Sequence, residues 1–212
     1  SWAARIALDL ASDELSSEER TQLEDKRHQL LTLSLENYQI ALRLSPHNPI
    51  LWNELAQLYA VELADPQKFE ETIAHSLELD DGFEQTWMLL GDIRSAQGDI
   101  EGAIEAYQRS LEIRENCTVR RVVGTLLAQE ERWEDAIQTL ETSLEKCDSS
   151  REAWEIYRVL AIAYANLGRI AQAQEAAVRA LELAPAEQQA GIQQLLDQLK
   201  GISDPGGPSG SP

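Results

Sequence analysis

The stretch WMLLGDIRSAQGDIEGAIEAYQRSLEI, from Trp87 to Ile113, places large and small side chains at fixed intervals. Trp87 stands three residues before Leu90, and Gly91 follows at once. Gly98-Asp99 divides the run, and Ala103 precedes Tyr107 by four. Nearly everything else in it is a good helix former, so the glycines carry a cost that some packing or turn must offset. The stretch reads as two helices joined at Gly98-Asp99, with small residues where the helices approach and large ones where they diverge.

The same intervals recur. Gly91 precedes Ala103 by 12 residues, Gly124 precedes Ala136 by 12, and Ala161 precedes Ala173 by 12. Tyr107, Leu140 and Ala177 each follow four residues after those alanines. Small-Leu pairs close each copy at Ala41-Leu42, Ser76-Leu77, Ser110-Leu111, Ser143-Leu144 and Ala180-Leu181, at spacings of 35, 34, 33 and 37 residues. A period in this range marks a stacked repeat, each unit burying its apolar face against its neighbours.

This pattern resembles the tetratricopeptide repeat (TPR) family, with a 34-residue unit and the signature W-x2-L-G-x2-Y, A-x3-F, P. Trp87, Leu90, Gly91, Ala103 and Tyr107 carry it in one copy; Trp52, Leu55, Ala56 and Tyr59 carry it in another. Tyr157, Leu160, Ala161, Tyr164, Ala173 and Pro185 carry a third, while the copy at Arg120, Val123, Gly124 and Ala136 lacks the aromatic opening. The first copy keeps only its second half, Tyr38, Ala41 and Pro46. The resemblance spans about residues 30–185. It implies an all-α, right-handed α-solenoid of about five antiparallel helix pairs with a C-terminal capping helix. Trp87, Leu90 and Tyr107 are expected to fill the wider gaps between helices.

Punctuation places the elements. Asn48-Pro49 and Asp65-Pro66 read as N-caps followed by Pro in the first turn; Ser16 with Glu19, and Ser149 with Glu152, read as capping boxes. Gly98 and Gly168 end helices in the left-handed region, and Asp99 caps the next. The expected helices lie near 2–12, 17–44, 49–63, 66–79, 84–97, 100–113, 117–130, 133–146, 151–167, 170–183 and 186–200. Helix 17–44 is too long for half a repeat. The expected organisation is N-terminal helices with a divergent first repeat over 1–48, TPR-like repeats over 49–185, a capping helix over 186–200 and a flexible tail over 201–212. In the cap, Ile192, Leu195, Leu196 and Leu199 share one face and glutamines the other. A terminal repeat needs that division.

Composition excludes several classes of function. The 212 residues hold 18 Lys plus Arg against 37 Asp plus Glu, a net charge of −19. Such a chain repels phosphate backbones and anionic lipid surfaces, so neither nucleic-acid binding nor direct membrane insertion is expected. No apolar run reaches the ~20 residues of a membrane span. The opening SWAARIALDL has neither a signal peptide's basic flank nor its apolar core, and the absent initiator Met fits a processed or excised piece of a longer protein. His28, His47 and His75 are scattered, no nucleophile or phosphate-loop motif occurs, and no ligand spacing for a metal is present. Hence no enzyme and no cofactor are expected. Cys117 and Cys147 fall at adjacent ends of a helical hairpin. Packed helices lie ~8–10 Å apart and a disulfide needs Cα atoms within ~7 Å, so two free thiols are expected, with a bridge as the alternative.

The resemblance also locates a binding face. In the family, the first helices of successive units line a concave groove, whose places here are Asn53 and Gln57, Met88 and Asp92, Arg121 and Thr125, Arg158 and Ile162, with Ile50, Gln85, Thr118 and Glu155 one turn earlier. No Lys stands at any of them, so the family's carboxylate clamp is not carried over. Arg121 and Arg158 are expected either to converge on a ligand carboxylate or to pair with neighbours such as Glu155 or Glu130. The implied function is a non-enzymatic protein–protein interaction module that binds a protein or peptide segment in or beside the groove. The alternative is a structural spacer or oligomerisation scaffold within a larger, membrane-attached protein. TPR arrays occur on both sides of membranes, so the resemblance assigns no compartment.

Overall fold

The structure, a computed structural model, describes residues 6, 10, 15–146 and 153–202. Its described residues form helices and turns, with no strand. In order, the helices are α1 (Ser17–Leu44), α2 (Pro49–Gln57) prolonged by a π turn (Leu58–Glu62), α3 (Pro66–Leu79), α4 (Glu84–Gln97) and α5 (Ile100–Ile113). They continue with α6 (Cys117–Gln129), α7 (Trp133–Lys146), α8 (Ala153–Asn166), α9 (Ile170–Leu183) and α10 (Ala186–Gly201). These bounds fall within two residues of the expected ones. Of the helix expected at 2–12, Ile6 and Leu10 are described, both helical. The capping box at Ser149 and Glu152, and the tail beyond Ile202, lie outside the described residues.

The caps are where the sequence puts them. Ser16 Oγ accepts from Glu19 N while the Glu19 carboxylate accepts from Ser16 N. Asn48 Oδ1 accepts from Ile50 N at 3.0 Å, Asp65 Oδ1 from Lys68 N at 3.0 Å and Asp99 Oδ1 from Gly102 N at 3.1 Å. Each satisfies an amide that a helix start leaves without a partner. Gly98 and Gly168 turn the chain at φ +82 and +71. The π turn departs from expectation. Leu63 N reaches Leu58 O, five residues back, so one wide turn holds one residue more than an α-helix would. The interval from Trp52 to Trp87 is 35 residues, one more than the 34-residue unit, and this turn accommodates the excess.

The chain divides into two compact units, Ser1–Gln97 and Gly98–Pro212. In the first, α2 packs on α3, and both touch α4; α1 lies against α2. Ala56 and Phe69 are fully buried, with Ile73, Leu55 and Tyr59 around them. Arg27 of α1 donates to the Glu62 carbonyl and carboxylate, at 3.2 and 3.3 Å, so it holds the end of the π turn. In the second unit, α6 pairs with α7 and α8 with α9, and α10 closes on α9. Ala136, Leu140, Ala161, Ala173, Ala177 and Ala180 are fully buried there. A Cβ built on Gly124 would lie 2.5 Å from Leu140 Cγ and Cδ2, so glycine is what lets α6 approach α7. The cap α10 buries Ile192, Leu196 and Leu199 and leaves Leu195 half-buried. Its residue Ile192 joins Ala180 and Ala184 in a cluster backed by Trp154 and Tyr157.

Two expectations are corrected. Leu90 and Tyr107 are buried, but Trp87 is only half-buried. Its indole N–H donates to Asp81 O at 2.8 Å, and that of Trp52 to Pro46 O at 2.7 Å, each six residues back. The tryptophans thus fasten the turn ahead of their helix, the polar edge reaching a carbonyl while the ring covers apolar surface. Cys117 is not a free thiol but disulfide-bonded, and no free cysteine is present among the described residues. The sequence has one other cysteine, Cys147, outside the described residues.

Candidate peptide-binding cleft

The first helices of the first unit present the same four places twice. On α2 these are Ile50, Asn53, Glu54 and Gln57; on α4, 35 positions on in each case, they are Gln85, Met88, Leu89 and Asp92. Offsets of three, four and seven set each quartet on one helix face. α2 and α4 are in contact, and the eight residues line one open cleft of about 280 Å³. Five of the sequence-predicted groove residues, Asn53, Gln57, Gln85, Met88 and Asp92, are brought together here, and Ile50 joins them. Glu54 and Leu89 were missed by the reading from the family's places, although helix periodicity alone implies them once 50, 53 and 57 are set on one face.

Asn53 is tied from behind. It is 9% exposed, and its Oδ1 accepts from Ser76 Oγ at 3.1 Å and from Thr86 Oγ1 at 3.0 Å, both hydroxyls fully buried. Two helices other than its own therefore fix the amide plane. Glu54 is held from the side: Tyr38 Oη donates to its Oε2 at 2.7 Å. Burial, and then this bond to a carboxylate, push the Tyr38 phenol up to about 12. Gln57, Gln85 and Asp92 are exposed, and Ile50 is exposed despite being aliphatic. The cleft therefore combines an apolar strip, amides able to donate and accept, and carboxylates on its rim, with no basic side chain in its lining.

Arg121, Thr125 and Arg158 lie in the second unit and are not part of this cleft. There Arg121 Nη1 donates to Glu155 Oε2 at 2.6 Å, bridging α6 to α8. Of the two expectations for Arg121, the structure takes the pairing with Glu155. Thr125 Oγ1 donates to the Arg121 carbonyl of its own helix at 3.0 Å, and Arg158 is half-buried on α8. The second unit has a larger hollow of about 320 Å³ lined by Glu141, Leu144, Tyr157, Tyr164, Glu175 and Arg179 among others, none of them an expected groove residue. Its groups are engaged locally: Tyr164 Oη donates to Glu141, and Arg179 to Glu182 at 3.0 Å. Among the described residues no group of His, Cys, Asp and Glu is arranged to hold a metal ion. No described helix is long and apolar enough to cross a membrane.

The tetratricopeptide repeat pattern matches residues 84–117 and again 122–188. The chain is a tetratricopeptide repeat protein. No curated protein matches it in sequence. Solved structures match in fold: YrrB, a TPR protein with an unusual peptide-binding site, is 17% identical with a TM-score of 0.66, over 79% of this chain and 84% of that one. MamA is 17% identical with a TM-score of 0.61, over 84% and 98%. BtubC from P. vanneervenii is 19% identical with a TM-score of 0.61, over 81% and 80%. At such identities the likeness establishes the fold, an all-α helical repeat. Repeats of this kind serve protein–protein interaction.

Proposed function

We propose that this TPR chain is a non-enzymatic interaction module whose cleft between α2 and α4 takes an extended segment of another protein. The observation that carries the reading is the duplication: two four-residue faces, in one register, line one cleft that holds both apolar side chains and amides. An extended peptide presents a carbonyl and an N–H at every residue, and Asn and Gln side chains match both. YrrB, which shares the fold, is a TPR protein with a peptide-binding site. Selection of a random-peptide display library on the protein, followed by affinity measurement with Gln57→Arg and Met88→Arg variants, tests this. Selected peptides should lose at least about tenfold in affinity, ~1.4 kcal/mol, in both variants. Peptides that bind the variants as well as the wild type would remove the cleft from the function.

One observation favours an assembly role beside this. Leu33, Ile40 and Leu44 of α1 are 53%, 48% and 81% exposed, and their spacing of seven and four puts them on one face. Light scattering on the intact chain tests it. A concentration-dependent dimer abolished by Leu33→Glu with Ile40→Glu would support assembly, and a monomer throughout would dismiss it.

A further inference from the structure

The cleft's polar groups specify the charge of what it binds. We propose that the bound segment is basic: an extended peptide that lays an aliphatic side chain on Ile50, Met88 and Leu89 and directs a Lys or Arg to Glu54. This rests on the reading of the α2–α4 cleft as the peptide site and adds the chemistry of the occupant.

Asn53 supplies the first argument. Its oxygen is used inward by the Ser76 and Thr86 hydroxyls, and its Nδ2 has no partner among the described residues. An amide nine-tenths buried, held by its acceptor end and lining the cleft, offers its two N–H donors there. These donors are not sealed from solvent, so a peptide carbonyl entering the cleft takes the place of water on them. The group is thus a fixed donor aimed at a main chain, not an adaptable surface side chain.

Glu54 supplies the second. The Tyr38 hydroxyl occupies one direction of its carboxylate at 2.7 Å. An ionised carboxylate accepts in about four directions, so Tyr38 orients the group and leaves capacity for an ammonium or guanidinium. No Lys, Arg or His lines the cleft. At the corresponding places of the second unit the face already carries its own cation, Arg121, satisfied by Glu155. The net charge of −19 acts in the same direction, raising the encounter rate of a basic segment at moderate salt. Ile50, 51% exposed, with Met88 and Leu89, completes an apolar strip that a Lys or Arg stem also covers while its head reaches the rim.

The test uses three labelled peptides of equal length in which Leu alternates with Lys, Gln or Glu, and two readouts. Fluorescence anisotropy gives affinity. The protein has one methionine, Met88, so a methyl-labelled Met gives a single NMR signal that reports on the cleft alone. The Lys-Leu peptide should bind at least about tenfold tighter than the Gln-Leu and Glu-Leu peptides and shift the Met88 methyl signal saturably. Glu54→Gln should reduce the Lys-Leu affinity about threefold to fivefold, the range of one partly exposed ion pair, and leave the Gln-Leu peptide unchanged. Glu70→Gln, an exposed change on α3, should alter neither. If all three peptides move the Met88 signal with equal affinity, the cleft binds peptide but the charge inference is overturned. Equal losses in Glu54→Gln and Glu70→Gln also overturn it, since general acidity then accounts for the preference. If the Lys-Leu peptide binds without moving the Met88 signal, or no peptide binds, the cleft reading itself falls.

Discussion

Replacing Gly124 by Ala adds one methyl group in mid-α6, where intrinsic propensity alone would stabilise the helix by about 1 kcal/mol. The new Cβ would stand 2.5 Å from Leu140 Cγ and Cδ2. Leu140 is fully buried on α7, and the clash includes its branch point, so no rotation of a free chain end relieves it. Overpacking of this kind costs about 1–3 kcal/mol. The two effects leave Gly124→Ala destabilised by about 1 kcal/mol. Removing Leu140 reverses the sign. Leu140→Ala itself costs about 2–5 kcal/mol through lost burial and a cavity, but in that background the added methyl enters empty space and only the propensity gain of about 1 kcal/mol is left. The double-mutant cycle therefore predicts a coupling of about 2 kcal/mol between adjacent side chains. Urea unfolding of the four proteins, followed by circular dichroism, measures it. Stabilisation by Gly124→Ala in both backgrounds would refute the close approach of α6 to α7 at this glycine. The register agrees with the reasoning: where α6 sets Gly124 against Leu140, the next hairpin sets Ala161 in register with Ala177, both fully buried, trading size on one side for size on the other.

Three further outcomes are expected. Asn53→Ala removes the acceptor shared by the fully buried Ser76 and Thr86 hydroxyls and should cost about 1–3 kcal/mol by urea unfolding, whereas Gln57→Ala, exposed on the same face, should fall within about 0.5 kcal/mol of wild type. Tyr38 and Tyr164 are held to about 12 in the folded chain, each by burial and then a carboxylate, Glu54 or Glu141. An unfolded phenol ionises near ~10, so the unfolded chain binds fewer protons between about 10 and 12, and stability falls as pH rises through that window; Tyr38→Phe with Tyr164→Phe should flatten the decline in melting temperature. Thiol titration of the denatured, unreduced chain should count no free Cys at monomeric mass, and Cys117→Ser should lower stability by about 3.6 kcal/mol, the loop-entropy value for about 30 residues.

What the sequence made legible is local or periodic. Asn48, Asp65 and Asp99 cap because a short acceptor beside a helix start reaches an amide two or three residues on, whatever the rest of the chain does. The buried alanines at 136, 161 and 173 follow from spacing alone. The parts that were not legible depend on distances between segments. A repeat of 35 residues tells of one extra residue but not that a π turn at Leu58–Glu62 takes it up, nor that Arg27 reaches the Glu62 carbonyl there from another helix. The position of Trp87 in the motif suggested a core residue; its half-exposure reflects the indole N–H, which draws the ring edge toward the Asp81 carbonyl. The bond at Cys117 requires Cα atoms within about 7 Å, a limit finer than a repeat pattern specifies.

The groove places show the same division at the level of function. The family register sets corresponding places on the first helices of both units, yet it cannot say which face is open. That depends on whether the long side chains at successive first helices satisfy one another. In the second unit, a cation at the second place, Arg121, meets an anion at the first place of the following helix, Glu155, and the pair bridges the helices. A partly exposed ion pair adds only about 0–1 kcal/mol to stability, so the greater consequence is occupancy: the Arg fork is already bound to a carboxylate. In the first unit the corresponding places are Asn53 and Gln85, which carry no charge and form no such bridge, and Asn53 is turned inward by Ser76 and Thr86 instead. The surface between α2 and α4 therefore stays open, and the carboxylate of Glu54 is left at its edge with Tyr38 as its orienting partner. One repeat face can thus be closed by an ion pair of its own while another stays open, and the difference lies in two side chains.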